Sequence, residues 1–237
     1  MNHFLGLAAF AACLGAVGCA SVVDNRAEQI ILDELPRLVG PAQAYRVDAL
    51  GVQPSAGQLQ SVRVVGERVA RPGSPVIDHA DVSLRDVRFD RAEKRVESIG
   101  AVDALARVLP RDIASFLDER PGLDAVDVQF YGNGEIVVRA QPSVAGFTLP
   151  AGVRVSMRGY LVPDGPRLKL EISDLRAAGF AVGLLPQAAL QVLVNPIVDL
   201  SSLPAPTQIA RVRVEGEALV IEASGVSDLT AHLQRQP

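Results

Sequence analysis

The sequence has no tryptophan, and its 237 residues include only two cysteines, two methionines and three histidines. Proteins that bind nucleic acid combine basic surfaces with aromatic platforms on which bases stack. An aromatic content of 4% and a formal net charge of −4 therefore argue against a nucleic-acid partner. So few histidines and cysteines cannot supply the common zinc ligand sets. We expect neither a metal nor another cofactor.

Catalytic motifs are also scarce. The chain has no Gly-x-Ser-x-Gly nucleophile elbow and no glycine-rich loop of the kind that holds phosphates. His79 lies between Asp78 and Asp81, and this group would act in a serine hydrolase only if a distant serine joined it. A solvated turn explains the same residues without any chemistry. We predict that the protein is not an enzyme.

Charged side chains are missing from the N-terminal segment, where an apolar run extends from Phe4 to Val17. A run of about 14 residues is shorter than the roughly 20 that cross a bilayer, which favours a cleaved export signal. Small residues precede Cys19, as in a bacterial lipobox, although Ala16 stands where leucine is usual. We expect Cys19 to carry the lipid, such as palmitate, with a plain secretory signal or a buried helix as the alternative.

These features predict how the chain is divided. Cleavage before Cys19 would leave this residue as the one remaining cysteine, so no intrachain disulfide could form. The expected segments are a signal peptide over 1–18, a tether over 19–26, a single domain over 27–225 and a polar tail over 226–237. A lipid at Cys19 would anchor the domain outside the cytoplasm, on a membrane of the bacterial envelope and on its periplasmic face where there are two membranes.

From Tyr45 onward, apolar and polar residues alternate with a period of two, which predicts roughly nine or ten strands with one apolar face each. The clearest hairpin joins a strand ending at Phe130 to one beginning near Ile136, because Asn133-Gly134 suits a tight turn. Half-buried strands joined by short turns are typical of antiparallel sheets.

Two helices interrupt the strands. Pro110 begins a short one, and a longer one ends near Pro196. The longer helix is apolar over much of its circumference, with Gln187, Gln191 and Asn195 as polar interruptions, so we expect it to be enclosed. The predicted fold class is α+β, with a long curved antiparallel sheet wrapped around apolar helices.

An aliphatic sheet face could line a groove for acyl chains or form an ordinary filled core, and the sequence does not separate these alternatives. Alternation within the strands and the spacing of the longer helix give the candidate lining residues. They are Val126, Val128, Phe130, Ile136, Val138, Val153, Val155, Met157, Leu168, Leu170, Leu185, Ala189 and Val192.

The C-terminal stretch from Asn195 to Pro204, with the strand pair that follows it, resembles the closing segment of the LmeA family of bacterial phospholipid-binding envelope proteins. Three upstream stretches fall in the family's order: Ala27-Glu28, Ala104 to Leu117, and Asn133 to Val138. The resemblance covers about 25–225, nearly all of the expected mature chain.

The resemblance implies a tubular lipid-binding (TULIP-like) fold that holds acyl chains in an aliphatic groove. It implies no catalytic residues. Our leading hypothesis is an extracytoplasmic lipoprotein that binds phospholipid or a related envelope lipid, with transfer of that lipid as an extension of the hypothesis. A structural or partner-recruiting envelope protein with a filled core is the second hypothesis, and an envelope-lipid hydrolase is the third.

Overall fold

A computed structural model describes residues 28–53, 57–90, 92–93, 95–143, 153–181, 184–201, 203 and 206–226. The predicted signal peptide, Cys19, the tether and the tail beyond Val226 lie outside these ranges. Within the described part of the chain, no helix is both long enough and apolar enough to span a bilayer. The same part holds no group of three His, Cys, Asp or Glu side chains that could share a metal ion.

The first sheet is antiparallel and has six strands. Its order is β1-β2-β3-β4-β12-β11, so the C-terminal hairpin returns to pair with β4. A helix over 28–38, α1, packs its buried Ile30, Ile31 and Leu35 on the β1–β3 end of this sheet. The strands are β1 (Ala44–Gln53), β2 (Gln58–Val69), β3 (Ile77–Asp90), β4 (Arg95–Val108), β11 (Gln208–Glu215) and β12 (Ala218–Val226).

The second sheet is antiparallel as well, in the order β10-β8-β7-β6-β5 with β9 also paired to β8. The predicted hairpin at Asn133-Gly134 is confirmed, since Phe130 pairs with Ile136 across it. Helix α2 (Pro110–Asp118) leads from the first sheet into this one. The strands are β5 (Leu123–Phe130), β6 (Glu135–Pro142), β7 (Val155–Asp164), β8 (Arg167–Ala177), β9 (Phe180–Ala181) and β10 (Val198–Asp199).

The main core lies between the two sheets. Aliphatic residues of β5 to β8 pack there against α2 and against the β11–β12 hairpin. Arg68 at the end of β2 also holds α2 in place. Both of its terminal nitrogens donate to the buried carboxylate of Asp112 in α2, at 2.7 Å. The two sheets therefore form one packed body.

The expectation of mixed, mainly antiparallel α+β structure is confirmed, but that of one long sheet needs correction. The strands separate into two sheets because α2 intervenes after β4 and the chain resumes as β5 without pairing to β4. The sequence could not show this break, since alternation marks strands and not their partners.

Helix α3 (Leu184–Val194) is less enclosed than expected, and its polar interruptions have a structural purpose. Gln187, Gln191 and Asn195 recur every four residues and bond the backbone of β8 along its outer edge. The Leu170 amide donates to Asn195 Oδ1 at 2.6 Å, and the Ile172 amide donates to Gln191 Oε1 at 3.2 Å. The side-chain amides of these three residues thus provide hydrogen-bond partners for backbone groups on an edge of β8 that would otherwise lack strand partners.

Replacing Gln191 with leucine is expected to lower the free energy of unfolding by about 1–3 kcal/mol, because the Ile172 amide would lose its acceptor. Urea denaturation followed by circular dichroism measures the change. Val192→Gln on the exposed side of α3 is the matched control and should stay within about 0.5 kcal/mol of the native chain. Equal stabilities for Gln191→Leu and the native chain would contradict the proposed role of the amide.

Candidate functional site

An aliphatic groove runs over the concave face of the first sheet, between α1 and the segment that follows α3. It holds about 1170 Å³ of empty space, counting its open part. One wall consists of Leu35 and Leu38 of α1 and of Val39 just after it, and the wall opposite includes Leu200 and Leu203. The floor consists of inward-facing residues of β2, β3, β4 and β12: Val64, Gly66, Ile77, Ala80, Val82, Leu84, Ile99, Val102, Ala104, Ala106, Val108, Ile221 and Ala223.

The groove stays open because strand register brings small residues together. Gly66 of β2 pairs with Ala80 of β3, which pairs with Ala106 of β4. In the adjacent row, Ala104 of β4 pairs with Ala223 of β12. Larger aliphatic residues at these positions would fill the space over the sheet, so the small side chains create the groove.

Gly66 is further constrained by the ring of Tyr45 on β1. A Cβ at this position would lie 2.8 Å from Tyr45 Cε1 and 2.8 Å from Val69 Cγ2, closer than carbon atoms approach in proteins. Glycine thus lets the aromatic ring lie against β2 at the edge of the groove.

Tyr45 presents its ring to the groove while its hydroxyl donates to the Gly40 carbonyl at 2.7 Å. Burial disfavours the charged phenolate and raises the pKa of Tyr45 from 10.0 to about 12. A raised pKa in the folded state contributes stability that is complete below pH 10 and is lost as the pH rises towards 12.

We expect ultraviolet titration of the folded protein to show one tyrosine that ionises near pH 12, and to show that this component disappears in Tyr45→Phe. In denaturant the same tyrosine should titrate at its ordinary value of about 10. The native chain should also lose stability between these two pH values, and Tyr45→Phe should lose less. A late-ionising component that persists in Tyr45→Phe would contradict the assignment.

Polar side chains are few along the groove and cluster at one end, where the β2–β3 loop meets β10. Ser74 is buried and bonds the backbone of Asp199, its hydroxyl donating to the carbonyl at 3.3 Å and accepting from the amide at 3.2 Å. Arg71, in the same loop as Ser74, and Thr207 also line the groove. Burial lowers the pKa of Arg71, and the nearby Asp199 carboxylate opposes this effect.

The residues predicted to line the acyl-chain site lie elsewhere. Most of them pack in the core between the sheets, and none of the twelve whose side chains the structure describes lines the groove. They fill a core because large side chains face each other there. Those fully or nearly buried in this core are Val128, Ile136, Val138, Val155, Met157, Leu168 and Leu170, with Val126 and Phe130 partly buried against it.

The remaining predicted lining residues are not part of the core. Val153 is partly buried just before β7. Ala189 and Val192 lie on the exposed side of α3, with Val192 76% exposed. The side chain of Leu185 lies outside the described part of the structure. The groove of the first sheet was not among the predicted sites, although glycine and alanine at inward strand positions were a usable signal for it.

The acidic residues beside His79 bond to arginines. Arg63 Nε donates to Asp81 Oδ1 at 3.0 Å and holds the pKa of that carboxyl below its usual range. Arg68 Nη1 lies 3.4 Å from Asp78 Oδ1. The structure thus gives both carboxylates a role in ion pairs.

The comparison with protein families agrees with the geometry of an aliphatic groove. The profile of a family described as LmeA-like phospholipid-binding matches residues 14–224, which is most of the chain. No curated protein and no solved structure matches. The chain belongs to the LmeA-like phospholipid-binding family.

Proposed function

We propose that this protein binds a phospholipid with its acyl chains along the groove of the first sheet, and that it does so without catalysis. The observation that carries this proposal is the open, almost wholly aliphatic groove over the small residues of the first sheet, in a member of a phospholipid-binding family.

The energetics favour an acyl chain as the occupant. Each methylene that leaves water for an apolar surface contributes about 0.8 kcal/mol. Eight methylenes in the groove would therefore contribute about 6 kcal/mol, more than several net hydrogen bonds of about 1 kcal/mol each. Lining by Val, Leu, Ile and Ala gives little geometric selection among flexible chains, which suits lipids of varied chain length.

We further propose that the protein acts outside the cytoplasm as a lipoprotein held to an envelope membrane through Cys19. The apolar N-terminal run and the small residues before Cys19 support this location. An anchored domain beside a bilayer could exchange lipid with that bilayer, so transfer between membranes is part of the proposal. Metabolic labelling with a fatty-acid analogue tests it, since Cys19→Ala should lose the label.

Native mass spectrometry of the gently purified protein is the direct test of lipid binding. We expect adducts with the mass of phospholipid and uptake of a fluorescent phospholipid by the delipidated protein. A lipid-free protein that takes up no phospholipid would contradict the proposal and favour a structural envelope protein. Turnover of the bound lipid would instead favour the hydrolase alternative.

A further inference from the structure

Beyond lipid binding itself, we infer that Arg71 is the phosphate anchor of the groove, contacting the phosphate of a bound lipid while the acyl chains lie against the small residues of the sheet. This inference rests on the proposed function. It assigns ligand selectivity to one residue, and it identifies a phosphate-bearing lipid, as opposed to an uncharged acyl lipid, as the preferred occupant.

Arg71 is the one charged residue among the described residues that line the groove. The other polar lining residues are the neutral Tyr45, Ser74 and Thr207, and at least two of these are committed to backbone groups. A cation beside an apolar surface is poorly solvated, so an anion placed next to it gains more than it would in open water.

Position supports the same conclusion. Arg71 stands at the end of the groove where the β2–β3 loop meets β10, and the other described lining residues are uncharged and mostly aliphatic. An amphiphile has the same division, with apolar chains and a single phosphate at one end. Guanidinium groups bind phosphate through charge-assisted hydrogen bonds, which are about twice as strong as those between neutral groups.

The test compares phosphatidylglycerol with diacylglycerol, both carrying the same fluorescent acyl chain, in titrations of the purified full-length protein. We expect the native chain to bind phosphatidylglycerol about 10- to 100-fold more tightly. Arg71→Met should reduce this preference to about twofold or less, mainly through weaker binding of phosphatidylglycerol. Arg71→Lys should retain part of it, since the charge persists without the planar guanidinium.

Arg107→Met is the matched control, because Arg107 is an exposed arginine of β4 on the side of the sheet away from the groove. It removes the same charge and should keep the full preference. Equal affinity of the native chain for the two lipids would overturn the inference while leaving lipid binding intact, even if Arg71→Met did not fold. Binding of neither lipid would instead contradict the proposed function.

A further arm separates the lipid headgroup from free phosphate. We expect inorganic phosphate in large excess to displace neither lipid, because it lacks the chains that provide most of the binding energy. Displacement of phosphatidylglycerol by inorganic phosphate in the native chain, and its absence in Arg71→Met, would assign the site to free phosphate and overturn the inference.

Discussion

Ala106→Phe is expected to abolish most phospholipid uptake without unfolding the protein. Ala106 lies on the groove floor between Ala80 and Ile221, so a phenyl ring there would enter the open space above the sheet. If the ring displaces about three methylenes at about 0.8 kcal/mol each, binding weakens by about fiftyfold. Titration with a fluorescent phospholipid measures the loss.

The free energy of unfolding of Ala106→Phe should increase or stay the same, because filling an apolar space adds contacts and removes none. Circular dichroism and urea denaturation check that the fold persists. Ala210→Phe is the matched control, since Ala210 is an exposed alanine of β11 outside the groove and should leave uptake unchanged. Full lipid uptake by a folded Ala106→Phe would show that the acyl chains bind elsewhere.

Val155→Arg is expected to destabilise the whole protein, by about 4 kcal/mol or more. Val155 is completely buried between Ala140 and Ala177 in the core that joins the sheets, and an arginine there would bury a charge without a partner. Since domains of this size are stable by only about 5–15 kcal/mol, a loss of about 4 kcal/mol removes about a quarter to four fifths of the total stability. Thermal denaturation and near-ultraviolet circular dichroism measure this effect.

The two variants together distinguish the groove from the core. If Val155→Arg kept its native stability and lost only lipid uptake, the acyl chains would bind against the second sheet. That is the site predicted from the alternation of apolar residues. Val155→Thr is the mild control, because its hydroxyl adds no charge and little change in volume; it should fold with reduced stability and bind lipid normally. Loss of uptake in this folded control would equally favour a site in the second sheet.

Local features of the chain were predictable from the sequence because each depends on neighbouring residues. The period of two marked the strands, and Asn133-Gly134 marked the hairpin between β5 and β6. The recurrence of Gln187, Gln191 and Asn195 was visible too, but its purpose was not. That purpose required the outer edge of β8, which no local pattern of α3 reveals.

The lining residues could not be predicted by the same reasoning. An inward valine looks identical in sequence whether it faces a filled core, as Val155 does, or an open groove, as Val82 does. The alternation of apolar residues therefore identifies the buried face of a strand. It does not show whether that face meets a filled core or an open groove. The chosen residues came from the sheet whose inward side chains are large, where that space is filled.

The sequence by itself determined the alternating strands, the mixed α+β composition and the family resemblance, since these follow from local spacing and from the order of motifs. Only the tertiary structure decided where an acyl chain could fit. Gly66, Ala80, Ala104, Ala106 and Ala223 come from the consecutive strands β2, β3 and β4 and from the much later β12, and strand pairing and register place them side by side. The groove exists because small side chains meet there and leave the space above them unfilled.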